Sequence, residues 1–508
     1  MTELEERMAM TDRPNIVLIF PDQHRGDTMG CAGNPAAQTP NLDRLAAEGV
    51  LFERCLTNSP LCMPARASLI TGQHVNRHGI WGNNLVEPDR YGPSHVRNIR
   101  DSGFHTAIFG KTHLYANHKN DGHTRDHAHK LKDWGYETSH ELRDVVPSSR
   151  CNCYYADFLE ERGRLRLYQD YTRLWWTTGF RGLSHPWEDP PSPLPTDEHI
   201  DMYCADKAAA WIRDYEAENP FYLQVCFTGP HTPFDSPAEY RDRFNPEEMP
   251  LAIMDPPAAP VSPQVERQVK AGRLQNMTES HSRVMRTYYY AKVALIDHGV
   301  GMVIQALQDK GILDNTWIIY TSDHGDMLGD HRLNQKLVFY QGAVDVPLII
   351  RPPGKVPAWR TRGLTDHLDV SATLLDIAGA PPLADSPGHS LAAKVVAGPT
   401  APGAQQGKDV VFSEVERYYA MARDERYKMA INAISRQPLE LYDLVEDPQE
   451  QRNLVHEPGL SGVREEMLHA YFDQLLGLDQ EKLDSYKEAL KAKPDTDTFV
   501  TDLISQFR

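Results

Sequence analysis

The sequence predicts an α/β protein: a large mixed, mostly parallel sheet sandwiched by helices, with a smaller C-terminal α+β domain. Three observations carry that prediction. Short apolar runs alternate with helix-like segments from residue 16 to about 378, the pattern of the strand–helix units that build parallel sheets. After a stretch rich in Pro, Ala and Gly at 380–407, short strands follow one another closely, as in an antiparallel sheet. The composition, 40% hydrophobic and 24% charged over 508 residues, is that of a globular protein long enough to bury a sizeable core.

Residues 16–20, 105–109, 221–227, 317–321 and 347–351 read as buried strands, each a short apolar run bounded by polar residues. Helices are predicted at 40–48 behind Thr39, and at 66–71, 197–216, 280–309 and 368–378. The stretch 114–195 is rich in His, Trp, Tyr and Pro with weak periodicity, and reads as long loops laid over the sheet. Its tryptophans Trp175, Trp176 and Trp187 are candidates to line an aryl or quaternary ammonium pocket. The division is placed between a catalytic domain at 12–385 and a C-terminal domain at 386–508. In the latter, 410–415, 427–431 and 439–442 read as strands, 462–476 as a helix and 479–508 as a charged arm.

Composition excludes several classes of function. With 53 basic and 71 acidic residues the net charge is −18, which opposes a polyanionic partner such as nucleic acid. No apolar run approaches the roughly 18 residues of a membrane-spanning helix, so no membrane partner is expected. Residues 1–13 carry mixed charges and no apolar core of a signal peptide, which predicts a cytoplasmic protein. Its cysteines (Cys31, Cys55, Cys62, Cys151, Cys153, Cys204, Cys226) are an odd set in the first half of the chain and are expected as reduced thiols. The charged tail could wrap a neighbour, which predicts a homo-oligomer.

Chemistry-bearing residues gather where strands end. The strand at 16–20 runs into Pro21 and Asp22, and that at 105–109 into Gly110, Lys111, Thr112 and His113. The strand at 221–227 runs into Gly229, Pro230 and His231, and that at 317–321 into Ser322, Asp323, His324 and Gly325. In a parallel sheet these ends share one edge, where ligand sites form. Each residue alone reads as a solvated loop or turn residue; four converging ends read as a site. Asp22, Asp323 and His324 are ligand types for a divalent ion.

The most specific segment is Cys62-Met63-Pro64-Ala65-Arg66 leading into Ala67-Ser68-Leu69-Ile70-Thr71-Gly72, a short helix closed by glycine. Cys62 falls at the helix N-terminus, where free N–H groups and the dipole favour a thiolate or bind an anion.

This segment resembles the C-x-P-x-R signature of the type I sulfatases, members of the alkaline phosphatase superfamily. Further family-like segments span most of the chain: Thr39-Pro40-Asn41-Leu42-Asp43, Gly110-Lys111-Thr112-His113-Leu114, Ser322-Asp323-His324-Gly325 and Leu441-Tyr442-Asp443-Leu444. The resemblance implies an alkaline phosphatase-like fold. It also implies that a maturation enzyme oxidises Cys62 to formylglycine, whose hydrate supplies an oxygen nucleophile and a metal ligand. Asp22, Asp323 and His324 would complete the site of one divalent ion, calcium or manganese; a histidine where sulfatases usually place asparagine also admits zinc or iron. Arg66 would brace the formylglycine, Lys111 and Lys336 would neutralise the transferred group, and His113 or His231 would protonate the leaving alkoxide. Asn83 resembles a substrate-contacting asparagine of some relatives. Attack would leave a covalent ester that collapses to restore the aldehyde.

The implied activity is hydrolysis of small aryl or alkyl sulfate monoesters. The Asp-His metal pair is shared with phosphonate monoester hydrolases and phosphodiesterases, whereas the Gly-Lys-x-His segment favours sulfatases. A third reading is a non-catalytic metal- or anion-binding protein.

Overall fold

The computed structural model describes residues 13–83, 92–115, 122–175, 185–272 and 274–476. Its strands in chain order are β1 (Asn15–Ile19), β2 (Val50–Phe52), β3 (Cys55–Leu56), β4 (His105–Lys111), β5 (Thr138–Leu142), β6 (Phe221–Cys226), β7 (Thr316–Thr321) and β8 (Asp345–Val346). There follow β9 (Leu348–Arg351), β10 (Trp359–Thr361), β11 (Thr365–Asp366), β12 (Val411–Val415), β13 (Tyr419–Arg423), β14 (Tyr427–Asn432) and β15 (Gln437–Asp443).

The large sheet has the order β10-β2-β9-β7-β1-β6-β4-β5. Strand β9 is antiparallel to both neighbours, β7 and β2, and the other pairings are parallel. The expected mixed, mostly parallel sheet is therefore present, and all five predicted strands are in it. Central strand β1 shows why it is buried on both sides. Val17 and Ile19 pack with the helices Pro40–Ala47, Ile200–Asp214 and Glu279–Asp309. Ile16, Leu18 and the following Phe20 pack on the other face with Leu69, Val96, Ile99, Val370 and Leu374 of the helices Cys62–Thr71, His95–Asp101 and His367–Ile377. Successive side chains of a strand point to opposite faces, so two helical layers need an unbroken apolar run.

A short three-stranded sheet, β11-β3-β8, connects this body to the antiparallel sheet β12-β13-β14-β15. The helix Ser461–Leu476 covers the small sheet through Met467 and Tyr471. The opposite face, through Val411, Val415 and Met421, packs against Leu61, Phe339 and Val344. The small sheet thus buttresses both the helix start near Cys62 and the loop that carries Lys336. Beyond the predicted division at 385, Leu391, Ala392, Val395 and Ala404 pack into the core under the large sheet.

Two expectations are corrected. The stretch at 114–195 is not only loops: it contains β5 and the helices Ala128–Trp134, Val145–Ser148, Tyr154–Glu161 and Leu165–Leu174. These elements are short, and only a few residues each, such as Leu131, Trp134, Tyr155 and Leu159, are buried, too few to print a period in the sequence. Strand β13 was not predicted, because Tyr-Ala-Met-Ala-Arg reads as helix former; pairing on both edges with β12 and β14 overrides that propensity. Trp175 is buried with Nε1 donating to Asp189 Oδ1, and Trp187 is stacked between His185 and His281. Both are engaged in packing; Trp176 and residues 479–508 lie outside the described residues. Among the described residues no helix is long and apolar enough to cross a membrane.

Candidate active site

Asp22 follows β1 and is locked to the neighbouring loop, its amide donating to the Gly229 carbonyl at 3.1 Å. Asp323 and His324 follow β7, the strand paired with β1 on its other side. Lys111 ends β4, where Gly110 is required: its φ is 102°, and a Cβ would meet the Cys226 carbonyl oxygen. Cys62 is the first residue of the helix Cys62–Thr71, which closes at Gly72 with φ 63°. Four separate segments thereby deliver their side chains to one buried point.

Cys62 Sγ lies 3.2 Å from His324 Nε2, and Lys336 Nζ lies 3.3 Å from the same sulfur. Asp22 Oδ1 is 3.9 Å from it. Arg66 donates from Nε to Asp323 Oδ2 at 2.9 Å and from Nη1 to the Lys111 carbonyl at 2.8 Å, and pairs with Asp22 Oδ2 at 3.4 Å. Lys111 pairs with Asp22 and, at 2.5 Å, with Asp144. All of the predicted metal-site residues and three of the predicted cations therefore meet.

The charges explain one another. Burial and Asp22 both oppose a Cys62 thiolate, yet Lys111, Lys336 and His324 outweigh them and hold the thiol well below its ordinary value. Against the cost of burial, Lys111 and Lys336 hold Asp22 well below the usual carboxylate range. Asp323 is instead pushed up, by burial and by the charge of Asp22, despite His324 and Arg66. Asp323 is thus short of positive charge. Cys62 Sγ and the ligand atoms of Asp22, Asp323 and His324 lie within 4.8 Å of one another. His324 Nδ1 donates to the Gly325 carbonyl at 2.9 Å, so Nε2 is the nitrogen that faces the cluster and the one a metal ion would take in place of a proton. Two carboxylates, one correctly turned imidazole and a charge deficit fit a divalent cation.

The remaining predicted residues sit around this cluster. His231 is half-buried, with Nδ1 donating to the Thr232 carbonyl at 2.7 Å; burial, and then Lys336, pull it down to about 4, so it is neutral at pH 7. His113 has a positive φ of 52°, and its buried Nδ1 has no hydrogen-bond partner among the described residues. Asn83 is exposed and its Oδ1 accepts from the Met63 amide, in the first turn of the Cys62 helix, at 3.0 Å.

Sequence reasoning missed three residues. Gln23, with φ 73°, donates from its amide nitrogen to Asp323 Oδ1 at 3.0 Å and accepts from Lys336 at 2.7 Å, while its side-chain NH2 contacts Asp326. Gln23 and Asp326 were legible only as neighbours of Asp22 and Asp323. Asp144 follows β5, the strand that was not predicted.

The sheet and this cluster define an enzyme of the alkaline phosphatase superfamily. A family model for Sulfatase matches residues 14–380, and one for the C-terminal region of N-sulphoglucosamine sulphohydrolase matches 329–476. The chain is 31% identical to an arylsulfatase of Clostridium perfringens over 72% of its length and 75% of the relative's. It is 30% identical to a choline-sulfatase of Rhizobium meliloti over 88% and 83%. Among solved structures, a phosphonate monoester hydrolase of Agrobacterium radiobacter superposes with a TM-score of 0.73 at 26% identity, covering 91% of this chain and 95% of that one. The chain belongs to the sulfatase family, whose members are sulfuric ester hydrolases.

Proposed function

We propose that the protein hydrolyses small sulfate monoesters, with residue 62 as nucleophile and a divalent ion held by Asp22, Asp323, His324 and residue 62. The observation that carries this reading is the placement of Cys62 Sγ between His324 Nε2 and Lys336 Nζ, at 3.2 and 3.3 Å. Conversion of Cys62 to hydrated formylglycine would put hydroxyl oxygens where the sulfur now sits. The ion would supply Lewis acidity toward a sulfuryl oxygen, and an oxygen-rich donor set suits calcium or manganese. Cys62 is 1% exposed, so a formylglycine-generating enzyme would have to reach it before the fold closes.

The chain's own residues do the rest. Arg66 is committed to Asp22 and Asp323 and fixes their orientation. Lys111 and Lys336 face the position of the transferred group and stabilise charge developing on its non-bridging oxygens. His231, neutral at pH 7, takes a proton at Nε2 from the attacking hydroxyl. His113 protonates the leaving alkoxide. Asn83, its Oδ1 engaged by the Met63 amide, offers its side-chain NH2 group to substrate.

A second reading, phosphonate monoester hydrolysis, is favoured by the similarity to the phosphonate monoester hydrolase. Steady-state rates of the matured, metal-loaded protein on 4-nitrophenyl sulfate and 4-nitrophenyl phenylphosphonate decide between them. We expect kcat/KM to favour the sulfate; a ratio favouring the phosphonate overturns the first reading.

A further inference from the structure

We propose that Asp144 is a positioning and specificity residue: it shares the Lys111 ammonium with Asp22 and tunes the anion site to a singly charged transferred group. This rests on the sulfatase reading of the same site.

Asp144 stands two residues past the end of β5, and Lys111 ends β4; the register pairs Lys111 with Leu142. The carboxylate is therefore delivered from the adjacent strand end to the lysine. It is the N-cap residue of the helix Val145–Ser148, a position where an Asp side chain normally accepts from the first-turn amides. Here it makes no such cap bond, and Oδ1 lies 2.5 Å from Lys111 Nζ instead. The local helix would use this carboxylate, but the side chain is turned into the site.

The consequence follows from the charges. Lys111 is 2% exposed and lies between two carboxylates, whereas the Asp144 side chain keeps 27% of its surface. Arg66 is occupied by Asp22, Asp323 and the Lys111 carbonyl, so the cations that can turn to a bound anion are Lys111 and Lys336. An anion placed against Lys111 has Asp144 one ammonium away. That repulsion doubles for a group of charge −2 relative to −1. An aryl sulfate carries a single negative charge near neutrality, and a phosphate monoester carries close to two. A carboxylate beside Lys111 thus penalises the phosphate ester more than the sulfate ester, while Asp22 and Asp144 share the one ammonium.

The test uses the full-length, matured, metal-loaded protein with 4-nitrophenyl sulfate and 4-nitrophenyl phosphate at about pH 8, where the phosphate ester is a dianion. Asp144→Asn is expected to shift the sulfate-to-phosphate ratio of kcat/KM toward phosphate by about tenfold or more, a 1.4 kcal/mol change in discrimination. Asp144→Glu is expected to keep the ratio within about threefold of the parent, because the charge is retained. Calorimetric titration at the same pH with benzenesulfonate, a monoanion, and phenylphosphonate, close to a dianion, gives a second readout without turnover, and the Kd ratio is expected to move toward the phosphonate. If Asp144→Asn lowers both kcat/KM values equally and leaves the Kd ratio unchanged, the proposal is overturned. Where the parent protein turns over neither ester, the sulfatase reading fails, and the titration still decides the charge selectivity. Should Asp144→Asn not fold, Asp144→Ser removes the same charge with a smaller side chain.

Discussion

Replacing Arg66 by alanine is the most severe single perturbation of this site. The guanidinium is 3% exposed and sits beside two carboxylates that are fully buried. It forms ion pairs with Asp323 at 2.9 Å and Asp22 at 3.4 Å, donates to the Lys111 carbonyl, and stacks over the Phe20 ring with its carbon 5.0 Å from the centroid. Removing one partner of a buried ion pair costs about 3–5 kcal/mol, because the remaining charge is left uncompensated. For a cooperative unit of about 370 residues the unfolding entropy is roughly 0.8 kcal/mol/K, so Tm should fall by about 4–6 °C. A divalent ion would return positive charge to the same carboxylates, and its binding stabilises the native state by mass action. Differential scanning calorimetry of Arg66→Ala should therefore show a larger deficit in chelator than in saturating manganese or calcium. A Tm within about 1 °C of the parent in both conditions would refute the electrostatic account of Arg66, since so small a change corresponds to under about 1 kcal/mol. An equal deficit with and without metal would refute the claim that cation and guanidinium serve the same carboxylates.

Three further outcomes are expected. Lys336→Ala removes the ammonium 3.3 Å from Cys62 Sγ and 2.7 Å from Gln23 Oε1; kcat on an aryl sulfate should fall about 10²–10³-fold, and a rise in KM alone would contradict the role. Glu414 is buried against Tyr471 and the Asn76 amide, and burial raises its carboxyl to about 7 from an ordinary 4.5. A carboxyl raised on folding binds more protons in the native state, so its stability contribution is full below about pH 4.5 and is lost as pH rises to about 7, a loss of about 3 kcal/mol. Glu414→Gln should escape this loss, so thermal scans at about pH 5 and pH 8 should show the variant gaining on the parent at the higher pH. Asp366 caps the helix His367–Ile377 by accepting from the Leu368 and Asp369 amides and pairs with Lys408; Asp366→Ala should cost about 2 kcal/mol in urea denaturation, with no change expected if the cap is unimportant.

The central strands and most of the site were legible in the sequence because one physical cause produces both signals. A parallel strand covered on both faces must be an unbroken apolar run, as in Ile16, Val17, Leu18 and Ile19, and the polar residue that ends the run is necessarily at the ligand edge. Asp22, Lys111, Asp323 and His324 were found that way, and Cys62 by the chemistry of a helix start. Strand β5 gave no such signal. It lies at the edge of the sheet as Thr-Ser-His-Glu-Leu, with only its last two residues buried, so it needs no apolar run. Asp144 was hidden with it. Gln23 was hidden differently, because its role depends on a left-handed backbone that turns its amide nitrogen toward Asp323, and no side-chain pattern encodes that turn. The two sequence-predicted imidazoles were legible as residues but not as roles. Only the Thr232 carbonyl fixes which nitrogen of His231 is bare.

The central claim is that residue 62 is the nucleophile and acts as formylglycine. Mass spectrometry of the tryptic peptide spanning residues 55–66, from catalytically active protein made in a host with formylglycine-generating activity, tests it directly. The account predicts the aldehyde or its hydrate at position 62 in the active fraction. An unmodified thiol at that position in fully active enzyme would contradict it.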